Sequence, residues 1–166
     1  MAIHPNLQSM LHESIPEMFL VAKYCIEFPK DTRIWPAPGC YGYPAALLLL
    51  SITDSIGSYV LGDDNVKKHF KILNENSYYG LTLTDEELRI IYDNYRNLLS
   101  HNTVMATNVG LNPGLPTDRV LQKQGNKYWL NLVPFYNVSV KAVNSFLNNP
   151  SVLRNNQTVL NIYKKH

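Results

Sequence analysis

The residues most able to do chemistry lie together in one short stretch, YRNLLSHN, which runs from Tyr95 to Asn102. Arg96 is followed directly by Asn97, and His101 stands five positions after the arginine. A histidine titrates near neutral pH and can move protons, whereas an arginine keeps its charge and its planar fork matches two phosphate oxygens. These two groups, without a metal ion, suit cleavage of a phosphodiester beside a 2′-hydroxyl, the nucleophile that RNA itself supplies. The stretch therefore predicts a reaction on RNA.

The relative positions of these side chains depend on a helix. Residues four apart on an α-helix share a face, so we expect Asn97 and His101 on one side, with Arg96 about 100° round from Asn97. A long arginine side chain can still lean toward that edge. A structural interpretation stays open, in which Arg96 and His101 only satisfy carbonyls at the helix end and complement its dipole. That interpretation gives no reason for Asn97.

Length and composition describe one globular domain. The chain has 166 residues, of which 45% are hydrophobic and 17% charged. That charged fraction is low for a fully exposed surface, which suggests that an oligomer covers part of it. The formal net charge of +2 is too small to attract nucleic acid through the field of the whole molecule, so any RNA site must be local.

The sequence predicts a soluble, cytoplasmic protein. Polar residues interrupt the stretch from Met1 to Ser14, where a secretory signal needs a continuous apolar core. The most apolar run, Ala45 to Ile52, is far shorter than the roughly 20 residues that cross a bilayer. Cys25 and Cys40 lack metal-ligand spacing, so we expect free thiols in a reducing compartment, and no metal or cofactor.

Periodic apolar residues predict helices in the first half of the chain. The first is expected over about 10–28, with its start near Ser14 because Pro16 is tolerated only in a first turn. A helix that is apolar on nearly all sides follows over 43–61, and a short one over 65–73. These helices are expected to form the core against which the YRNLLSHN stretch packs.

The helix that carries the motif has a strong start signal. Thr84 can cap it and Glu87 can reach back to complete a capping box. Farther on, alternating residues over 119–133 indicate a small hairpin, and further helices are expected over 134–147 and 151–163. The sequence therefore predicts an all-α, mainly helical fold with a small β-hairpin insertion.

Two further polar features bear on function. Asp54 lies in the middle of the apolar helix, where an unpaired carboxylate is costly to bury, so it either reaches water or has a specific partner. Lys67, Lys68 and Lys71 form the polar side of the short helix. They are most simply a solvated face, and a phosphate-contacting patch is the alternative.

The stretch from Arg96 to His101 resembles the signature of the HEPN family, in which an arginine, commonly followed by a polar residue such as asparagine, precedes a histidine by four to six positions. The resemblance implies an up-and-down helical bundle with its core at about 10–109. The whole chain, 1–166, is then expected to form a single domain, in which the hairpin and C-terminal helices over 117–166 are additions that the minimal bundle does not require. It also implies a homodimer in which two motifs face each other. Many members are metal-independent ribonucleases, often toxins or phage-defence effectors, that leave a cyclic phosphate and a 5′-hydroxyl.

The resemblance also implies roles for individual residues. Arg96 would bind and polarise the scissile phosphate, His101 would act as acid or base, and Asn97 would orient one of them. Polarity and expected proximity, and not the resemblance, suggest three other residues as support for the site: Asp54, Tyr92 and Asn102. RNA is the expected substrate, and an antitoxin or defence protein is an implied partner.

One departure and two alternatives accompany this expectation. In one toxin branch a tyrosine two places after the histidine accepts a regulatory modification, and here that place is Thr103. Regulation by that route is therefore in doubt. A catalytically silent module that binds nucleotide, RNA or a protein is the first alternative, and a purely structural bundle is the second.

Overall fold

Two long helices form the centre of the molecule in the computed structural model, which describes residues 4–63 and 65–149. The first, α1, spans Leu7–Glu27 and packs along α2, which spans Gly42–Leu61. The expected start of α1 near Ser14 is wrong, because the Asn6 side chain accepts a hydrogen bond from the Ser9 amide and caps an earlier turn. Pro16 lies inside the helix on its exposed side, where the carbonyl that it leaves unpaired can face water.

The second helix is the core of the fold. Its apolar side chains are buried on several sides, as the sequence predicts: Ala45, Ala46, Leu49, Leu50, Ile52 and Ile56. By length and composition α2 is also apolar enough to cross a bilayer, but half of its most apolar window is buried inside the protein. The core helix of a soluble protein has these same properties.

The segments that carry the motif follow α2 as a series of short helical pieces. Helix α3 spans Val66–His69 and continues as a 3₁₀ turn over Phe70–Asn74. Helix α4 spans Asp85–Ile90 and begins with the predicted capping box, in which the Thr84 hydroxyl accepts from the Glu87 amide at 3.2 Å. The carboxylate of Glu87 accepts in return from the Thr84 amide at 2.9 Å.

The expected continuous α-helix is interrupted before the motif ends. Residues Ile91–Asn97 form a π-helical segment, and the α-helical pattern resumes only in α5, Leu98–Asn102. A π-helix hydrogen-bonds i to i+5, so its residues project at angles that α-helical spacing does not give. Arg96 lies within this segment, whereas His101 lies in α5.

A three-stranded mixed sheet contradicts the predicted all-α class. Strands β1 (Val109–Asn112), β2 (Leu121–Gln124) and β3 (Lys127–Asn131) are arranged in the order β1-β3-β2, and about 58% of the described residues are helical. The β2–β3 hairpin is confirmed. The sequence reading missed β1 because this strand is only four residues long and pairs in parallel with a strand far along the chain, Val109 opposite Tyr128.

Helix α6, Leu132–Leu147, packs on α1 and α2 and completes the described fold. Pro134 lies in its first turn, as predicted, and Phe135, Ala142 and Phe146 are buried. Cys25 and Cys40 are free, half-buried thiols whose pKa values burial raises. The helix expected over 151–163 lies outside the described residues and stays a prediction.

A single hydroxyl joins the π-helical segment to the sheet. The Tyr95 side chain is fully buried, and its hydroxyl oxygen is 2.9 Å from the Gly110 carbonyl of β1 and 2.8 Å from the Tyr128 carbonyl of β3. One proton is therefore shared between two strands. Gly110 also leaves room for the neighbouring Trp129 ring, since a Cβ at position 110 would lie 2.6 Å from that ring.

We expect Tyr95→Phe to lower the free energy of unfolding by about 1–2 kcal/mol, because it leaves the buried Tyr128 carbonyl and the half-buried Gly110 carbonyl without their shared donor. Urea unfolding measures this, with the exposed Tyr24→Phe as the matched control.

Burial raises the pKa of Tyr95, so the folded state favours the neutral phenol. The wild type should therefore lose stability above pH about 10, and the variant should lose less. Equal stability of the two phenylalanine variants would show that the hydroxyl is not structural.

Candidate functional site

Three ionisable side chains from three separate segments meet beside the motif. Oδ2 of Asp54, on α2, is 2.5 Å from an Nη of Arg96 in the π-helical segment. Oδ1 of the same carboxylate is 2.7 Å from Nδ1 of His69 on α3. Their side chains retain 15%, 21% and 7% of their exposure in the order Asp54, Arg96, His69. We call these three residues the Asp54 cluster.

The hydrogen bonds of His69 fix the role of one of its ring nitrogens. Its Nε2 is 2.5 Å from the main-chain carbonyl oxygen of Asp63, a group that can only accept, so Nε2 donates. Its Nδ1 faces the Asp54 carboxylate, which also accepts from the Arg96 guanidinium. An imidazole that carries both protons can donate to both partners at once, so the protonated form of His69 fits this geometry. In that form the cluster contains two cations and one anion.

A glycine allows α3 to bring His69 this close. Gly57 is buried on α2, and a Cβ built there would lie only 2.2 Å from the main-chain oxygen of His69. A side chain at this position would push α3 away from α2. The absence of a side chain at Gly57 is thus a geometric requirement of the Asp54 cluster.

His69 was not singled out in the sequence, although a signal was present. It lies between Val66 and Phe70 on the apolar side of the short helix, where a polar residue is unexpected. Asp54 likewise lies among apolar residues on α2. Two ionisable residues at buried positions on successive helices indicate a pair, because neither is stable there alone.

The predicted site residues do not all meet. Arg96 and Asp54 are in direct contact, but within residues 4–63 and 65–149 no hydrogen bond or ion pair joins His101 to either of them. His101 is exposed in the last turn of α5, next to the exposed Asn102. Asn97 is half-buried, and its carbonyl accepts from the Ser100 hydroxyl at 3.3 Å.

Tyr92, expected to support the site, has other contacts. Its ring meets the Phe70 ring edge-on at 5.6 Å, and the Lys67 ammonium lies 5.4 Å from its centroid. Beside the cluster itself, an open depression of about 270 Å³ gives solvent access to Asp54 and His69. Its wall also includes Ser55, Ser58, Tyr59 and Val66.

Helix α5 ends in a conformation unusual for its residue. Thr103, two positions after His101, has φ +56° and ψ +21°, the left-handed region that a β-branched residue rarely adopts. Its amide bonds back to the Leu99 carbonyl at 3.2 Å and closes the last turn. The strain is stored directly beside the exposed histidine.

Thr103→Gly should raise the free energy of unfolding by about 1 kcal/mol, because glycine adopts this backbone conformation without a steric cost. Urea unfolding midpoints of the variant and of Thr32→Gly, an exposed loop position, give the comparison. If both substitutions destabilise the protein equally, the left-handed backbone at Thr103 is not strained.

The residues that the structure describes contain no group of three or more His, Cys, Asp or Glu side chains arranged to hold a metal ion. Compared with family models, curated proteins and solved structures, the chain matches none. The resemblance to the HEPN signature is therefore carried by the Arg96–His101 motif alone and stays a prediction.

The electrostatic role of the Asp54 cluster can be measured directly. Asp54→Asn leaves Arg96 and His69 without their shared carboxylate, so we expect a loss of about 2 kcal/mol in the free energy of unfolding, less than for a fully buried pair because water reaches the site. Asp31→Asn is the matched control, since Asp31 pairs with Arg33 at 2.7 Å on an exposed loop.

Nitrogen-detected NMR of the wild-type imidazole provides an independent check of the same geometry. Nε2 of His69 should carry a proton, because it faces the Asp63 carbonyl oxygen, which can only accept. An Nε2 without a proton would contradict the cluster as described.

Proposed function

We propose that the chain is a cytoplasmic, metal-independent endoribonuclease of HEPN type, in which Arg96 binds the scissile phosphate and His101 transfers protons. The observation that carries this proposal is the anchoring of Arg96 by Asp54. A guanidinium has five N–H donors in a rigid fork, and the 2.5 Å bond to Asp54 uses one of them. The remaining donors are available to a phosphate, and the group is already held in place.

A protonated His69 makes this anchoring compatible with an anionic substrate. A simple Arg–Asp pair is neutral and offers no net attraction to a phosphate. With the imidazolium form of His69 as a second partner of Asp54, the cluster retains one positive charge. His69 and Asp54 are thus positioning residues, and the charge that forms on phosphorus in the transition state meets Arg96.

The reaction is a transesterification in which all atoms are conserved. The 2′-oxygen forms a bond to phosphorus, the bond from phosphorus to the 5′-oxygen breaks, and the products are a 2′,3′-cyclic phosphate and a 5′-hydroxyl. One proton leaves the 2′-hydroxyl and one is delivered to the 5′-oxygen. Asn97, half-buried before the last turn, orients the imidazole or the phosphate.

A homodimer provides two such histidines. His101 is exposed, and among the described residues no hydrogen bond or ion pair joins it to Arg96, so a second copy that packs across the end of α5 would supply one proton acceptor and one donor. A role as a toxin or phage-defence effector, held inactive by an antitoxin or a defence protein, follows from the same resemblance.

A catalytically silent binding module is the second candidate. The observation that favours it is the same separation of His101 from the Asp54 cluster. In that case the cluster positions Arg96 only to hold nucleotide, RNA or a protein carboxylate.

Incubation of the purified protein with a mixed structured RNA in EDTA separates the two candidates. We expect cleavage by the wild type and cyclic-phosphate ends by mass spectrometry. His101→Ala should lose about 10²- to 10⁴-fold in rate, the range for a missing general acid–base group. Arg96→Ala should also fail, and Arg96→Lys should recover little because an ammonium lacks the planar fork.

Matched controls come from exposed residues outside the site. His12→Ala on α1 and Arg33→Ala in the following loop should cleave as the wild type does. Because His101 is exposed, its alanine variant should unfold at the wild-type urea concentration, so lost cleavage reports chemistry rather than folding. Equal rates for wild type, His101→Ala and Arg96→Ala would reject the ribonuclease.

A further inference from the structure

A cleft between α3 and α4 collects cations that the proposed catalytic site does not use. Lys67 and Lys68 approach it from α3, Lys71 from the 3₁₀ turn, and Arg89 from α4. All four residues are exposed. The lysines share one side of a short helix in the sequence, but Arg89 joins them only through the fold.

Two of these four cationic side chains have no ion-pair partner among the described residues. Lys67 and Lys68 each form a 2.8 Å ion pair with an aspartate. Among the described residues, the side chains of Lys71 and Arg89 have neither an ion pair nor a hydrogen bond. Asp85 also lines the cleft, at the first turn of α4, where the helix dipole partly neutralises its charge. The cleft therefore presents two uncommitted cations to an anionic ligand.

The size of the cleft indicates which part of an anionic ligand it holds. Its volume of about 200 Å³ is below the roughly 300–1,000 Å³ of pockets that enclose drug-sized molecules, so it suits a phosphate group rather than a whole nucleoside. The one aromatic ring in its wall, Tyr92, already has the Lys67 ammonium 5.4 Å from its centroid and the Phe70 ring edge-on at 5.6 Å. The cleft therefore suits the charged phosphates of a nucleic-acid backbone, contacts that do not depend on the identity of the bases.

The cleft lies close to the Asp54 cluster. Tyr92, in its wall, precedes Arg96 by about one turn in the same π-helical segment. Lys67, also in its wall, belongs to the same short helix as His69. A polyanionic strand that leaves the cleft along this segment reaches the guanidinium of Arg96.

We propose that this cleft binds the phosphate backbone of single-stranded RNA through Lys71 and Arg89, and so delivers the strand to Arg96. The choice of RNA as ligand rests on the proposed ribonuclease function. The contacts are electrostatic and independent of sequence, so binding weakens with salt and different bases bind alike.

The test measures binding and cleavage separately. A fluorescein-labelled oligouridine is titrated with the His101→Ala protein, which leaves the probe intact, between about 50 and 200 mM salt by fluorescence anisotropy. The same titration is repeated with a His101→Ala protein that also carries both Lys71→Gln and Arg89→Gln. The matched control adds Lys23→Gln and Lys127→Gln, which remove the same charge from α1 and β3, outside the cleft.

Loss of two phosphate contacts should flatten the slope of log Kobs against log salt by about 1.4, that is 0.7 per contact on a single strand. The control pair should keep the parent slope.

In the protein with His101 restored, Lys71→Gln and Arg89→Gln together should raise KM for cleavage and leave kcat nearly unchanged, because the groups that perform the chemistry are intact.

Each outcome decides one of the two proposals. Equal slopes for the cleft pair and the control pair overturn the cleft, as does a parent protein that does not bind the probe at about 50 mM salt. RNA cleavage by the wild type, together with a salt slope that the two cleft substitutions do not change, supports the ribonuclease and rejects the cleft. A flattened slope in a protein that cuts no RNA supports the cleft and rejects the ribonuclease.

Discussion

The carboxylate of Asp54 is the constraint on which the arrangement around the motif depends. It lies in the middle of the most apolar helix, where an unpaired charge would be expensive to bury. Two neighbouring segments each supply one partner to it, His69 from α3 and Arg96 from the π-helical segment. Both segments must therefore pack at the level of Asp54, and the missing side chain at Gly57 allows α3 to do so.

The sheet holds the same segment from another direction. Arg96 is bound to α2, while its neighbour Tyr95 is buried and bonded to the main chain of two strands. Adjacent residues are thus fixed on different parts of the fold. The π-helical geometry fits this double attachment, since π-helical segments occur where a helix must satisfy local packing that regular α-helical spacing does not. Past this point α5 carries His101 into solvent.

Charge is organised locally in a molecule whose net charge is only +2. In the proposed site, the Asp54 cluster keeps one positive charge when His69 is protonated, because two cations then share one anion. One turn away, the α3–α4 cleft leaves Lys71 and Arg89 unpaired. In the proposed function the cleft contributes salt-sensitive affinity, whereas the cluster contributes a rigid, oriented guanidinium, and neither needs a strongly basic surface.

The sequence by itself determined α2, the Thr84 capping box, the β2–β3 hairpin and α6, because apolar periodicity, a cap and turn residues act over a few neighbouring positions. It also predicted Arg96 as a candidate phosphate-binding residue, without its contact to Asp54, and it indicated that Asp54 required either a partner or water. Only the tertiary structure decided the parallel pairing of β1 with β3, the π-helical segment and the identity of His69 as partner. Each of these depends on contacts between residues distant in the chain, which local spacing does not encode.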